Sequence, residues 1–263
     1  MRRVLAVICA VWAGMGQAVE VPEGMGGANV IFLGEVHDNP NVHKRQSELV
    51  AALKPKALVF EMLTPKLAEK ATPEMRGDAD TLATALHWEH LGWPDFNMYY
   101  PIFAAAPQAA IYGAAVPREE ARAAMKGGVS ESFGTDAEAF GLTVPLSEDE
   151  QAAREAFQHE AHCDALPGEM LPMMVELQRL RDAVLARAAV QALDEVGGPV
   201  VVITGNGHAR KDWGAPVYLQ RVSGAVMFSL AIAEHEEEGG PFDAVEIVPE
   251  AEREDPCAVF NKE

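Results

Sequence analysis

Two apolar segments near the start of the chain flank a segment with the features of an amphipathic helix. The first, residues 28–33, reads ANVIFL, and the second, residues 57–60, reads ALVF. Uninterrupted apolar runs of this kind are typical of strands covered on both faces, as in parallel sheets. Between them, Asn39 is a good helix N-cap residue and Pro40 a good first helical residue. Strand, helix and strand in this order predict a βαβ unit and an α/β fold with a mainly parallel sheet.

The alternation of strands and helices continues along the chain. Further strands are predicted at 109–116 and 200–203, with a helix at 118–126 between them. Two later segments, 225–231 and 244–248, have the pattern of strands near the edge of the sheet.

One longer stretch, from about 147 to 196, interrupts this alternation. Its apolar residues recur at intervals of three and four, as in a long amphipathic helix. We therefore predict an α/β core at about 28–128 and 197–248, its sheet flanked by helices, with a smaller helical subdomain inserted at about 147–196.

The first 18 residues have the pattern of a cleaved secretory signal peptide. Residues 1–3 supply positive charge, 4–14 form an uncharged apolar run, and 16–18 are small or polar, as at a signal peptidase site. The run is too short to span a membrane comfortably. We predict a mature chain that begins near Val19 and is exported to the periplasm. A lipoprotein anchor on Cys9 is disfavoured, because a bulky residue precedes it.

The balance of charge excludes one large class of partners. The chain has 40 acidic and 21 basic residues, a formal net charge of −19. Such a field repels nucleic acids, so no nucleic acid is expected as a partner. Apolar residues make up 49% of the chain, which is enough for a buried core and excludes disorder.

Two cysteines remain in the predicted mature chain, Cys163 and Cys257. An oxidising compartment would permit them to pair, but their spacing does not require it. A disulfide and two free thiols are both compatible with the sequence.

Two predicted strands end in the same pattern, Gly-x-x-His. Glu35 and His37 follow the first strand, and His208 follows the strand at 200–203. Glu61 directly follows the second strand. Ligands of open parallel sheets bind beyond the carboxyl ends of the strands, so these four side chains are expected to share one crevice if the strands are neighbours. Glu35, His37, Glu61 and His208 then offer nitrogen and oxygen ligands for a divalent metal, or groups for acid–base chemistry.

Each of these residues also has a structural interpretation. A histidine at a strand end is often a hydrogen-bonded structural residue, and the tetrapeptide alone is a weak signal. Arg210, two residues past His208, is a candidate to bind a carboxylate or to orient Glu35, and its structural alternative is a surface salt bridge.

Taken together, three segments resemble the ChaN-like haem-binding uptake proteins, a family in a wider superfamily with the Tiki proteins and the erythromycin esterases. The resemblance covers roughly residues 28–220 and implies a ChaN-like domain over 19–263. The segments are 33–40 with Gln46, then His162 and Cys163 before 178–183, and then 203–210 with 214–216.

The resemblance implies two different functions. The nearer relatives imply haem binding, linked to a homodimer and to iron uptake with other components of the cell envelope. The wider relatives imply metal-dependent hydrolysis at paired Gly-x-x-His motifs, in which Glu35, Glu61 and Arg210 would be catalytic. A binding protein for another ligand, with a vestigial cleft, is a third interpretation.

Four residues are candidates to hold haem. Tyr99 and Tyr100 lie in an aromatic stretch, and His162 and Met173 lie in the helical region. All four side chains are of types that ligate haem iron. We rank the tyrosines first, because the resemblance suggests tyrosine ligation. Core packing is the alternative, particularly for a methionine at helical spacing.

Overall fold

A single sheet of six parallel strands forms the centre of the protein. We describe it from a computed structural model, in which residues 19–236 and 240–259 are described. The strands are β1 (Val30–Glu35), β2 (Ala57–Phe60), β3 (Ala110–Gly113), β4 (Val200–Gly205), β5 (Met227–Ala233) and β6 (Ala244–Ile247). Their order in the sheet is β3-β2-β4-β1-β5-β6, and every neighbouring pair is parallel. The predicted α/β fold is confirmed. The predicted signal peptide, residues 1–18, lies outside the described residues.

Helices connect the strands and cover both faces of the sheet. They are α1 (Pro40–Leu53), α2 (Pro65–Ala68), α3 (Ala79–Leu86), α4 (Phe96–Ala105), α5 (Arg118–Gly127), α6 (Val129–Phe133), α7 (Glu148–Ala161), α8 (Leu171–Val196), α9 (Asn206–Ala209) and α10 (Ala215–Val222). Short 3-10 turns lie at Met25–Gly27, Met75–Gly77, Trp88–His90, Gly168–Met170 and Pro256–Val259. Within the described residues, no helix is both long enough and apolar enough to cross a membrane.

The start of α1 follows the predicted capping pattern. Asn39 has an extended backbone, and its side chain accepts a hydrogen bond of 2.7 Å from the Asn41 amide. Pro40 occupies the first helical position, where its missing amide hydrogen costs nothing. This cap fixes the point at which the chain leaves β1 and turns into the helix.

Both faces of β1 are buried, which explains the apolar sequence of its first four residues, 30–33. Ile31 and Leu33 pack into the core that includes α1, α3 and α4. Val30 and Phe32 pack into the opposite core, which includes α5, α6, α8 and α10. Successive side chains of a strand point to opposite faces, so one strand contributes to both cores.

The region predicted as a helical insert consists mainly of α7 and α8. Leu180, Leu185 and Ala189 of α8 are buried in the core beneath β2 and β4, so this part of the helix also covers the sheet. Between the two helices, Cys163 forms a disulfide with Cys257 near the end of the chain. Of the two interpretations that the spacing left open, the structure has the paired one.

Candidate functional site

The carboxyl ends of three neighbouring strands form the candidate site. β1 lies beside β4, and β4 lies beside β2. Glu35, the last residue of β1, is in register with Gly205, the last residue of β4. After β1 the chain continues to β2, toward one edge of the sheet, and after β4 it continues to β5, toward the other edge. A topological switch point therefore lies between β1 and β4. The condition on which the predicted convergence depended is therefore met.

Glu35 and His37 form the first imidazole–carboxylate pair. The Nδ1 atom of His37 lies 2.7 Å from Glu35 Oε1. The phenol of Tyr99 donates to the same oxygen at 2.8 Å, and Gln46 Nε2 donates to the other oxygen at 3.0 Å. Glu35 is buried, whereas 37% of the His37 side chain is exposed. The carboxylate therefore fixes the imidazole ring, and the Nε2 atom of that ring is left free of this pair.

His208 and Asp182 form the second pair. The Nδ1 atom of His208, on α9, lies 2.6 Å from Oδ1 of Asp182, which is buried on α8. The Nε2 atom of His208 lies 3.5 Å from Oε1 of Glu61. Glu61 is fixed through its other oxygen, which accepts hydrogen bonds from the Thr204 hydroxyl at 2.7 Å and the Gly205 amide at 2.8 Å.

These contacts shift the pKa values of His37 and Glu61. Burial alone would lower the pKa of His37, but the hydrogen bond and charge of Glu35 raise it to about 9. Burial would likewise raise the pKa of Glu61, but His208, His37 and its two hydrogen-bond donors lower it to about 2. Glu61 therefore stays ionised at neutral pH.

The second pair is shifted by the same balance of burial and charge. Burial raises the pKa of Asp182 to about 6, although His208 acts in the opposite direction. Burial would lower the pKa of His208, but Glu61 and Asp182 raise it above its ordinary value. Oδ2 of Asp182 is buried and has no hydrogen-bond partner among the described residues.

Gly205 permits the close approach of His37 to β4. A Cβ atom at this position would lie 3.0 Å from His37 Nε2 and 3.2 Å from Cε1. Such a contact is shorter than an ordinary van der Waals separation, so any side chain here would displace the imidazole. The glycine at the end of β4 is therefore part of the geometry of the site.

A cleft with two lobes opens above these groups. Each lobe has a volume of about 550 Å³, and His37, His208 and Arg181 line both. The first lobe is also lined by Glu61, Leu91, Trp93, Arg118 and Leu185. The second lobe is also lined by Phe157, His162, Met174, Gln178 and Arg253.

The four predicted metal ligands converge, but they do not form a shared ligand shell. Glu35 lines the second lobe, but both of its oxygens are engaged by His37, Tyr99 and Gln46, so this carboxylate supports His37 and is not free to bind a metal. Within the described residues, the one group of three such side chains whose ligand atoms all lie within 4.8 Å of one another is Glu234, His235 and Glu250. That group lies outside the predicted site, and Arg253 binds its Glu234 member.

The tyrosines predicted to hold haem occupy unsuitable positions. Tyr99 is wholly buried, and its hydroxyl is bound to Glu35. Burial, together with the charge of Glu35, raises its pKa far above the ordinary value, which opposes formation of a phenolate. Tyr100 is half-buried and donates to the Arg76 carbonyl oxygen at 3.2 Å. Neither tyrosine is among the described residues that line the two lobes.

The two candidates from the helical region differ in position. His162 lines the second lobe, and its Nδ1–H donates to the Gln158 carbonyl oxygen at 2.7 Å, which leaves Nε2 as a free acceptor. Met173 is half-buried and is not among the described residues that line either lobe, whereas the adjacent Met174 lines the second lobe.

Arg210 does not orient Glu35. Its guanidinium binds Asp212 through two hydrogen bonds of 2.9 and 2.6 Å and lies 3.9 Å from the centroid of the Trp213 ring. The structure thus places Arg210 in a salt bridge with the Asp212 carboxylate, the arrangement that the structural alternative described, and not beside Glu35.

Several site residues were not recognised from the sequence. Asp182 and Gln178 lie on α8, where Gln178 Nε2 is 3.1 Å from His208 Nδ1. His43, on α1, is buried against Tyr99, and its Nε2 donates to the His37 carbonyl oxygen at 2.7 Å. The sequence feature that could have identified them is a polar residue among the buried apolar residues of a helix, namely His43 in α1 and Asp182 in α8. A buried polar group requires a hydrogen-bond partner.

The fold and the site together define the class to which the protein belongs. It is an α/β protein with two imidazole–carboxylate pairs at the switch point of a parallel sheet. Residues 22–219 match the family described as haem-binding uptake, Tiki superfamily, ChaN. The match spans more than half of the 263 residues, and the chain belongs to this family.

Solved structures agree with the fold. The ChaN protein of Campylobacter jejuni, in a structure described as cofacial heme binding to that protein, has a TM-score of 0.61 and 21% sequence identity, over 79% of this chain and 82% of its own. At this identity the likeness establishes a shared fold. The type III effector HopBA1 has a TM-score of 0.47 and 14% identity, over 89% of this chain and 100% of its own, a likeness too weak to carry an argument. A search of curated proteins finds no match.

Proposed function

We propose that this protein binds haem in the second lobe of the cleft, with His162 as the iron ligand. The observation that carries the proposal is the Nε2 atom of His162, which has no hydrogen-bond partner among the described residues, in a ring held by the Gln158 carbonyl. A neutral imidazole fixed through Nδ1–H presents Nε2 to a metal in the tautomer that ligation requires. Membership of the haem-binding uptake family supports the same proposal.

The surroundings of His162 suit a large, flat, partly apolar ligand. Phe157 and Met174 provide apolar surface in the same lobe, and Gln178 provides an amide for hydrogen bonding. Ligand sites of this type combine an apolar lining with a few polar groups that fix orientation. When bound, haem would supply an iron centre, and the chain's contribution would be one imidazole ligand and a surface that shields one face of the macrocycle.

A haemin titration of the purified protein, followed by its visible absorption spectrum, tests this proposal. We expect a saturable spectral change in the wild type, and His162→Ala should weaken haem binding by about tenfold or more and shift the main absorption band. His159→Ala is the matched control, because His159 is a nearby histidine that pairs with Asp164. Tyr99→Phe and Tyr100→Phe should leave the spectrum unchanged.

The results separate the ligand from the function. Absence of any saturable spectral change in the wild type would refute haem binding. Saturable binding that His162→Ala leaves unaltered would refute the assigned ligand only, and a spectral change in Tyr100→Phe would then identify Tyr100 as the ligand.

We extend the proposal to the setting in which haem is bound. The family description supports a role in haem uptake, and the Arg-rich start and apolar run of residues 4–14 support export to the periplasm. A haem-linked homodimer and contact with envelope iron-uptake components belong to the same proposal. Intact-mass measurement of protein from the native envelope tests export, since a mass that retains residues 1–18 would contradict it. Sedimentation with and without haemin tests the dimer.

Hydrolysis at His37 and His208, which line both lobes, is a second candidate function. It is favoured by the two imidazole–carboxylate pairs. In each pair the histidine, His37 or His208, contacts a carboxylate through Nδ1 and lines the cleft. Hydrolysis needs one group that removes a proton from water and another that donates one to the leaving group. The raised pKa of His37, about 9, suits the acid role, and His208 backed by Asp182 is the candidate base.

An esterase assay tests this second function. With p-nitrophenyl acetate as the probe, His37→Ala and His208→Ala should each abolish turnover while the fold is retained. Metal analysis of the wild type, and the assay repeated with a chelator, separate metal-dependent from metal-independent hydrolysis. Wild-type turnover no faster than that of a variant carrying both His37→Ala and His208→Ala would argue against hydrolysis of simple esters.

A further inference from the structure

The first lobe of the cleft has an unusual electrostatic lining for so acidic a chain. Arg118 and Arg181 both line it, and among the described residues neither guanidinium has a carboxylate oxygen within 4.0 Å. Of the other described arginines, five pair with carboxylates and four do not. The five are Arg45, Arg154, Arg179, Arg210 and Arg253, and the four are Arg76, Arg122, Arg187 and Arg221. Arg118 and Arg181 differ from these four in that both line the same lobe. In a chain of formal net charge −19, two unpaired cations that share one cavity require an explanation.

The acidic lining of this lobe does not neutralise them. Glu61 is the one carboxylate among the described lining residues. Its oxygens are already engaged by the Thr204 hydroxyl, the Gly205 amide and, at 3.5 Å, His208. His37 and His208 also line this lobe. The Nδ1 atom of His37 faces Glu35, and His208 faces Asp182 through Nδ1 and Glu61 through Nε2. The lobe therefore has excess positive charge.

The rest of the wall is apolar. Leu91, Trp93 and Leu185 line the lobe, and the Trp93 ring lies edge-on to the His37 imidazole with 4.9 Å between centroids. A half-buried tryptophan and two leucines can cover an apolar body of modest size, and the volume of about 550 Å³ accommodates one. Charge and apolar surface thus occur together in one cavity.

We propose that the first lobe binds an amphipathic organic anion, whose carboxylate, phosphate or sulfonate is held by Arg118 and Arg181 and whose apolar body packs against Trp93, Leu91 and Leu185. Guanidinium groups bind such oxyanions through paired, charge-assisted hydrogen bonds. Arg118 begins α5 at the exposed side of the lobe, and Arg181 lies at the boundary with the second lobe. The proposal does not depend on haem binding, since it concerns the other lobe.

Two fluorescent probes that differ by one charged group test the proposal. 8-Anilinonaphthalene-1-sulfonate is an amphipathic anion, and N-phenyl-1-naphthylamine is the same aromatic body without the sulfonate. We expect the folded wild type to bind the sulfonate saturably, with an affinity that falls as ionic strength rises. Arg118→Gln and Arg181→Gln should each weaken sulfonate binding by about tenfold and change binding of the neutral probe little.

Arg122→Gln is the matched control. Arg122 lies on the same helix as Arg118, is exposed, and is not among the described residues that line either lobe. This variant should bind the sulfonate as the wild type does. Trp93→Phe should weaken both probes, because it alters the apolar wall rather than the charge. Melting curves of every variant ensure that probe binding reports on a folded chain.

Three results would overturn the proposal. They are the absence of saturable sulfonate binding, an equal loss in Arg122→Gln and Arg118→Gln, and an equal loss of both probes in the two cleft arginine variants. A failed haemin titration leaves the sulfonate results unaffected.

Discussion

The phenol of Tyr99 donates a hydrogen bond of 2.8 Å to the carboxylate of Glu35, although the two residues are 64 positions apart. Both side chains are buried, and the oxygen that accepts this bond also accepts from His37. Tyr99 therefore holds the carboxylate that holds the imidazole. It acts on the cleft through Glu35 and does not itself line the cleft.

Removal of this hydroxyl should destabilise the protein without affecting haem. In Tyr99→Phe the ring still fills its site, but the buried Glu35 carboxylate loses one donor, which costs about 1–3 kcal/mol of unfolding free energy. Urea denaturation measures the change. Tyr100→Phe is the control, because Tyr100 donates to a half-buried backbone carbonyl and its loss should cost less. Equal costs for the two variants would contradict the role given to Tyr99.

The stability of the protein should fall in mildly alkaline solution because of His37. Its pKa rises from 6.5 in the unfolded chain to about 9 in the fold, so the folded state holds its proton more tightly. The resulting stabilisation is fully present below pH 6.5 and is lost as the pH rises through about 9. Since 37% of the side chain is exposed, solvent reduces the size of the effect.

Denaturant titrations at the two ends of this pH range test that dependence. His37→Gln should reduce the decline in unfolding free energy as the pH rises from 6.5 through about 9, and His208, whose pKa is also raised, contributes to the decline that remains. His90→Gln serves as the control, because His90 is largely exposed and, within the described residues, its one salt bridge is with its neighbour Glu89. A decline of the same size in His37→Gln and in the wild type would rule out His37 as the cause.

Local patterns were enough to predict most of the sheet. The runs that became β1, β2 and β4 are apolar throughout because both faces of these strands are covered, and Asn39 caps α1 through its own side chain. The convergence of His37, Glu61 and His208 followed from one further rule, that ligands meet beyond the carboxyl ends of parallel strands.

Contacts made across the chain could not be predicted in this way. Tyr99 occurs in an aromatic stretch that suits a haem site, but its partner lies on β1, and burial against that partner excludes it from the cleft. Asp182 lies in the apolar stripe of α8, where only the position of His208, 26 residues later, explains a buried carboxylate. Sequence periodicity gives the face of a helix but not the group opposite it.

Asp182 should control the protonation of His208. In Asp182→Asn the side chain keeps its shape but loses its charge, so the pKa of His208 should fall, because the carboxylate of Asp182 is one of the groups that raise it. An NMR titration of the His208 imidazole measures the shift. Asp182→Ala, which removes the partner of the buried Nδ1 atom of His208, should in addition cost about 3 kcal/mol. An unchanged His208 pKa in both variants would mean that Glu61 alone sets it.

The disulfide should contribute to stability by tying the end of the chain to the α7–α8 connection. Cys163 and Cys257 are 94 residues apart, and for a loop of this size the chain-entropy model gives about 2–5 kcal/mol of stabilisation. Arg253 also anchors this segment, through Asp38 at 3.1 Å and through Glu234. Replacement of both cysteines by serine should therefore lower the unfolding free energy while Arg253 keeps its contacts with Asp38 and Glu234.

Reductant provides the matched comparison for that variant. Treatment of the wild type with dithiothreitol should lower its unfolding free energy to that of the double serine variant, on which the reductant should have no further effect. Cys163→Ser and Cys257→Ser should each match the double variant, because either one removes the same cross-link. A wild type whose stability is the same with and without reductant would show that the cross-link does not constrain the unfolded chain.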